Sequence, residues 1–187
     1  KCHKFDVTTN IFEKLPEIFT DDKPECESIQ LIGRLNNERV IKFVPKKYIK
    51  GPGNLDKYKV ILPKANGSGA IGEVLSTPLV GTPLVGTPLV GHTQTFISIG
   101  KLETLDEADS LFKYIKSRFA RTLLGVLKIT QDNKKGTWKY VPLQDFTVNS
   151  DIDWTQSVAD IDLQLYKKYD LSPEEIAFIE THVREMD

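Results

Sequence analysis

The chain has 187 residues, 40% of them hydrophobic, with 25 Lys and Arg against 26 Asp and Glu and two cysteines. That length supports one domain, or one domain with a small appendage, and the apolar share lies well above that of a disordered chain. No apolar run approaches the ~18 residues that a membrane helix needs, and two cysteines alone supply neither a disulfide framework nor a four-ligand zinc site.

The opening Lys1-Cys2-His3 carries no signal-peptide pattern, which predicts an excised or processed fragment with a reducing, cytoplasmic home. The first 28 residues are acidic and irregular, with a short helix expected around Ile11–Phe19. Ile29–Arg34 and Val40–Val44 read as strands joined by a hairpin loop over Leu35–Arg39. Gly51-Pro52-Gly53-Asn54 is a break, and Lys57–Leu62 reads as a strand ended by Pro63.

Thr77-Pro78-Leu79-Val80-Gly81 then recurs unchanged at 82–86 and 87–91. Pro and Gly every five residues forbid a helix and disfavour a central strand, so a surface loop of variable length is expected. Three such units are too short for a solenoid core. Thr93–Lys101 alternates like a strand. Thr104 and Glu107 form a capping box before the apolar stripe Leu105, Ala108, Leu111, Phe112 and Ile115. A second helical run passes through Phe119, Leu123, Val126 and Leu127, with Arg118, Arg121 and Lys128 expected at its exposed positions. Gln131–Gly136 is a polar turn and Trp138–Leu143 a short extended segment. Helices are expected over Ser157–Tyr169 and from Ser172-Pro173-Glu174-Glu175, where an N-cap, a first-turn proline and a glutamate three residues on coincide. Strands and helices mix without βαβ alternation, so the expected class is α+β with a helical C-terminal tail. The expected division is a domain over 1–148 and a helical extension over 149–187 packed on it.

Familiar chemistry is sparse. Gly67-Ser68-Gly69-Ala70-Ile71-Gly72 fits G-x-G-x-x-G, but Pro78 leaves no room for the helix that a dinucleotide site requires. His3, His92 and His182 are scattered and read as incidental surface residues. Asp151, Asp153, Asp160 and Asp162 lack calcium-loop spacing and read as caps and solubilising groups. Charge is more informative. Residues 34–64 carry a net +7, residues 113–139 a net +7, and residues from 145 onward a net −8. A polyanion responds to such local fields rather than to the total. Either basic block alone is explained by a solvated Lys-rich face; the two together favour a nucleic-acid surface. In the small-residue loop Lys64–Gly69, Lys64 suits a phosphate, and Asn66 and Ser68 suit base edges or phosphates, with a plain turn as the alternative.

Lys57–Gly69, Leu75–Gly81, Tyr114–Phe119, Leu127–Gln131, Trp138–Phe146, Asp151–Trp154 and Ile161–Tyr169 together resemble the C-terminal region of bacterial restriction-modification adenine methyltransferases, across roughly residues 30–185. In that family a catalytic domain binds S-adenosylmethionine and methylates adenine N6, in some members fused to a Mg-dependent nuclease, while the C-terminal part reads the DNA target. The family's Asn-Pro-Pro-Tyr and Phe-x-Gly-x-Gly motifs are missing here. The resemblance therefore implies a type II or IIG target recognition domain with no catalytic residue, cofactor or metal of its own, partnered by double-stranded DNA and by the catalytic part of a parent polypeptide. The repeat block departs from the pattern, where one Pro-Leu segment is expected.

On this reading Lys46, Lys47, Lys57, Lys59, Lys64, Lys134 and Lys135 bind phosphates, and Asn66, Ser68, Gln131, Arg118 and Arg121 read bases in the major groove. Arg118 and Arg121 have a second reading, as buried helix-packing partners. Two other classes stay open: an autonomous Mg-dependent nuclease, and a protein-interaction module whose basic blocks dock an acidic partner.

Overall fold

Residues 7–65, 84–86 and 89–186 are described by the computed structural model, with backbone alone for 84–86. Their architecture is α+β, as the sequence predicts: two three-stranded sheets followed by four longer helices. The N-terminal segment starts with a single turn, α1 (Ile11–Lys14), which stops short of the expected Phe19 and yields to a 3₁₀ turn over Pro16–Ile18. Pro16 has no N–H to continue the α ladder.

Strand β1 (Ser28–Leu35) pairs antiparallel with β2 (Glu38–Pro45), Leu35 opposite Glu38. The connection is thus two residues, Asn36 and Asn37, at φ 51° and 66°. Both sit in the left-handed region that a type I′ hairpin turn demands and that asparagine tolerates. A break over 51–57 leads to β3 (Tyr58–Pro63), which is buried from Lys59 to Pro63.

The repeat is more than a loop. Leu84–Gly86, in its second unit, forms β4 on β3, and Val90–His92, beginning in its third unit, forms β5 on β1. Identical pentapeptides thereby enter two different sheets, ordered β2-β1-β5 and β4-β3-β6. Both are three-residue strands at sheet edges, where the missing N–H of a nearby proline costs no ladder bond. The first unit lies outside the described residues. Strand β6 (Phe96–Leu102) completes the second sheet against β3, with the register slipping opposite Gly100. Gly100 adopts φ 98°, and a Cβ there would stand 2.9 Å from Leu111. Ile32, Ile61, Val90 and Phe96 form a small buried cluster drawn from both sheets.

Helix α2 (Leu105–Lys116) starts as predicted: Thr104 Oγ1 accepts from Glu107 N–H at 3.2 Å. The reciprocal bond is displaced by one residue, Glu107 Oε2 accepting from Glu103 N–H at 2.9 Å. Ser117 separates α2 from α3 (Arg118–Leu127) and caps the latter, its Oγ accepting from Ala120 N–H at 3.1 Å. Trp138–Leu143 is not extended. A 3₁₀ turn over Lys135–Trp138 continues in turn bonds from Lys139 N–H to Gly136 O and Val141 N–H to Trp138 O.

Helices α4 (Val158–Lys168) and α5 (Pro173–His182) begin at Ser157 and Ser172, the latter with a complete capping box. They share the main core with the sheet and α2: Ile161, Leu165, Tyr166, Ile179 and Val183 join Val60, Leu62, Leu111, Ile115 and Trp154 in one buried cluster. Phe12, Phe19, Ile29, Leu31 and Val44 form a second cluster under the hairpin. No helix of the described residues is long and apolar enough to cross a membrane.

Candidate nucleic-acid interface

The two basic blocks meet where β3 ends. Pro63 closes the strand, and Lys64 N–H donates to Thr95 O at 2.8 Å, holding the next residue to the start of β6. From the other side, Asn133 N–H donates to Lys64 O at 2.6 Å, and Ala65 forms an antiparallel bridge with Asp132. The Asn133 side chain is fully buried, and its Nδ2 donates to Pro63 O at 3.4 Å. Asn133 is therefore a staple between segments 70 residues apart. It places the polar turn Gln131–Gly136 beside the root of the small-residue loop.

This junction exposes the side chains of Lys64, Gln131, Lys134 and Lys135. Asp132 accepts an ion pair from Lys134 at 3.1 Å. Lys64 and Lys135 form no ion pair among the described residues. Lys128 lies behind the turn, fully buried, its Nζ donating to Thr130 O at 3.1 Å. Burial holds its pKa below the usual lysine value. The arrangement offers two to three ammonium groups and one amide around a loop root, suited to phosphate contacts with one base-edge contact. Asn66 and Ser68 lie outside the described residues.

Four of the other predicted contacts are engaged elsewhere. Arg121 has no exposed surface; its Nε donates to Lys116 O at 2.8 Å and its Nη2 to Arg184 O. Burial lowers its pKa to about 10, so it remains cationic at neutral pH. Arg118 pairs with Glu180 and Glu185 and donates through Nε to Val183 O at 3.1 Å. These two arginines take the packing role, tying α3 to α5 and the chain beyond it. Their helical spacing marks an outward face only until α4 and α5 cover it. Lys59, 2% exposed, donates to the carbonyls of Asn54, Leu55 and Lys57 at 2.9–3.2 Å. Burial brings its pKa down to about 8. Lys57 pairs with Glu103 at 2.5 Å, and that hydrogen bond raises its pKa.

Lys46 pairs with Glu27 at 2.7 Å, and Lys47 lies over the Tyr48 ring at 5.0 Å; both are exposed beyond β2. Nothing in the described structure joins them to the Lys64 junction. Among the described residues, no group of three or more His, Cys, Asp or Glu is placed to hold a metal ion.

Sequence reasoning grouped Asp162 with capping and solubilising acids and missed that it is buried and caps a helix distant in the chain. Asp162 is 2% exposed, and its carboxylate accepts from Arg118 N–H and Phe119 N–H, both at 2.9 Å. Burial raises its pKa to about 6. The signal was its helical phase: Asp162 adjoins Ile161 and precedes Leu165 and Tyr166, so it faces the core. In comparisons with known proteins, no protein-family model, curated protein or solved structure matches this chain.

Proposed function

We propose that this chain is a DNA target recognition domain, holding duplex DNA for a catalytic adenine-N6 methyltransferase part that lies outside this sequence. The observation that supports the reading best is the Lys64–Asn133 staple, because it merges two basic blocks that are distant in sequence into one exposed junction. Lys64, Lys134 and Lys135 contact phosphates and set register; Gln131 reaches a base edge. The neighbouring small residues of 65–69 let backbone approach the duplex closely. Flipping of the target adenine and methyl transfer from S-adenosylmethionine belong to the partner part of the polypeptide. The chain from residue 145 onward, net −8, stays away from the phosphates, since its charge repels them.

The test is titration of the purified chain with a random duplex pool at several salt concentrations, with sequencing of the retained fraction. Salt-sensitive binding that enriches one short motif is the expected result. Absence of binding at low salt overturns the reading and favours a protein-interaction module. Mg-dependent cleavage by the chain alone replaces it with a nuclease.

A further inference from the structure

Helices α3 and α5 leave a groove open between them, a cavity of about 400 Å³ whose walls include Phe119, Leu123, Phe178 and Ile179. On α3 the positions Phe119, Leu123 and Val126 recur at helical spacing and so share one face. Val126 is 53% exposed and Phe178 43% exposed. Phe119 and Ile179, 4% and 5% exposed, form the floor of the groove, and the half-buried Leu123 with the 43% exposed Phe178 form its walls, a face that a third helix would complete at the spacing of ordinary helix packing. Along α3 the groove runs from Phe119 to Leu123, about 6 Å, and Val126 continues the same apolar face beyond it.

The rim has one sign. Glu174 and Glu175 line the groove at the first turn of α5, and no Lys or Arg lines it among the described residues. Glu175 also closes the capping box on Ser172 N–H at 2.8 Å, which fixes its position, whereas Glu174 forms no ion pair among the described residues. Phe178 is held by stacking on the His182 ring, centroids 4.2 Å apart.

We infer that the α3–α5 groove docks a basic amphipathic helix of a protein partner, its apolar stripe seated against Phe119, Leu123 and Phe178 and its Lys or Arg side chains against Glu174 and Glu175. This is recognition of the helix-in-groove kind, and it goes beyond the DNA reading.

The test is fluorescence polarisation of the full chain with a labelled 18-residue Leu/Lys peptide of helical amphipathic pattern, against a scrambled peptide of the same composition. The expected result is at least tenfold tighter binding of the patterned peptide. Phe178→Glu and the pair Glu174→Lys with Glu175→Lys should each weaken it at least tenfold. A Leu/Glu peptide of the same pattern should bind the charge-reversed pair better than the unaltered chain. All these side chains are exposed, and circular dichroism checks that each variant is folded. Equal binding of the scrambled peptide, or unchanged binding by both variants, overturns the inference. So does a dimer in sedimentation that Phe178→Glu dissociates, since the groove then belongs to a second copy. DNA affinity of Phe178→Glu is measured alongside and should be unchanged, so the two proposals fail separately.

Discussion

Asp162 Oδ1 accepts the backbone N–H of Phe119 at 2.9 Å, from 43 residues further along the chain. With Oδ2 on Arg118 N–H and Ser117 Oγ on Ala120 N–H, the first three donors of α3 are all satisfied. A helix start buried in the core requires this, because an orphan N–H there costs about 1–3 kcal/mol. One acid on α4 thereby sets the position of α3, and with it the packing of Arg118 and Arg121 against α5 and Arg184.

Asp162→Ala should lower stability by about 2–4 kcal/mol at neutral pH, since two buried donors lose their acceptor. A pH signature accompanies it. The folded-state pKa, about 6, lies above the ordinary aspartate value of 3.8, so the folded state binds more protons in that window. Stability from this group therefore falls as pH rises from about 4 to about 6. Urea denaturation across that range should show the fall in the parent chain and lose it in Asp162→Asn.

Lys59 has the opposite slope. Its folded pKa of about 8 lies below the ordinary 10.5, so the unfolded chain binds more protons between those values. Stability from this group should rise with pH through about 8 to 10. Thermal melts of the parent chain and of Lys59→Met over that range check it: the variant should lose the rise.

Arg121→Ala should destabilise the fold by about 3 kcal/mol, because it removes a buried, hydrogen-bonded cation and leaves a cavity. Per folded molecule, its DNA affinity should match the parent. Lys64→Ala with Lys135→Ala should behave in the reverse way. Stability should stay within about 0.5 kcal/mol, while DNA affinity falls and the slope of log affinity on log salt shrinks by about 2. Gln131→Ala should leave affinity for non-specific duplex nearly unchanged and relax preference at one base position. Filter binding and denaturation on the same preparations separate the two groups.

Deleting one Thr-Pro-Leu-Val-Gly unit gives the same polypeptide whichever unit is removed, because the three are identical. Two remaining units still supply the Leu-Val-Gly of β4 and the Val-Gly of β5. A one-unit deletion should therefore keep both edge pairings and change stability by less than about 1 kcal/mol. A two-unit deletion should lose one of them. Amide exchange of Lys59–Ile61 and Gln30–Ile32, opposite the two edges, checks this.

Local chemistry was legible in the sequence. The hairpin was legible from its two strands, although the expected loop over Leu35–Arg39 closes to Asn36-Asn37 alone, and Ser172-Pro173 with Glu175 announced α5, because caps and turns depend on neighbours in the chain. The α+β class followed from the order of such signals. Basic residues at core positions were legible only in part: burial of Arg121 was one of its two readings, whereas burial of Lys59 and Lys128 was not foreseen. Arg121, Lys128 and Lys59 each donate to a backbone carbonyl only two to five residues away, but all three are buried, and burial depends on segments distant in the chain packing over them. Periodicity alone assigns such residues to solvent. The same applies to the site. Lys64 and the Gln131–Lys135 turn were each visible, but the Asn133 staple joining them is a contact between distant segments.

The most direct test of the account is salt-dependent binding of the chain and of its Lys64→Ala/Lys135→Ala variant to a random duplex pool, with sequencing of the bound fraction. The account predicts enrichment of one short motif by the parent chain, with affinity falling steeply as salt rises, and a variant whose salt slope is smaller by about 2. Parent and variant binding alike, or no binding at low salt, would contradict it.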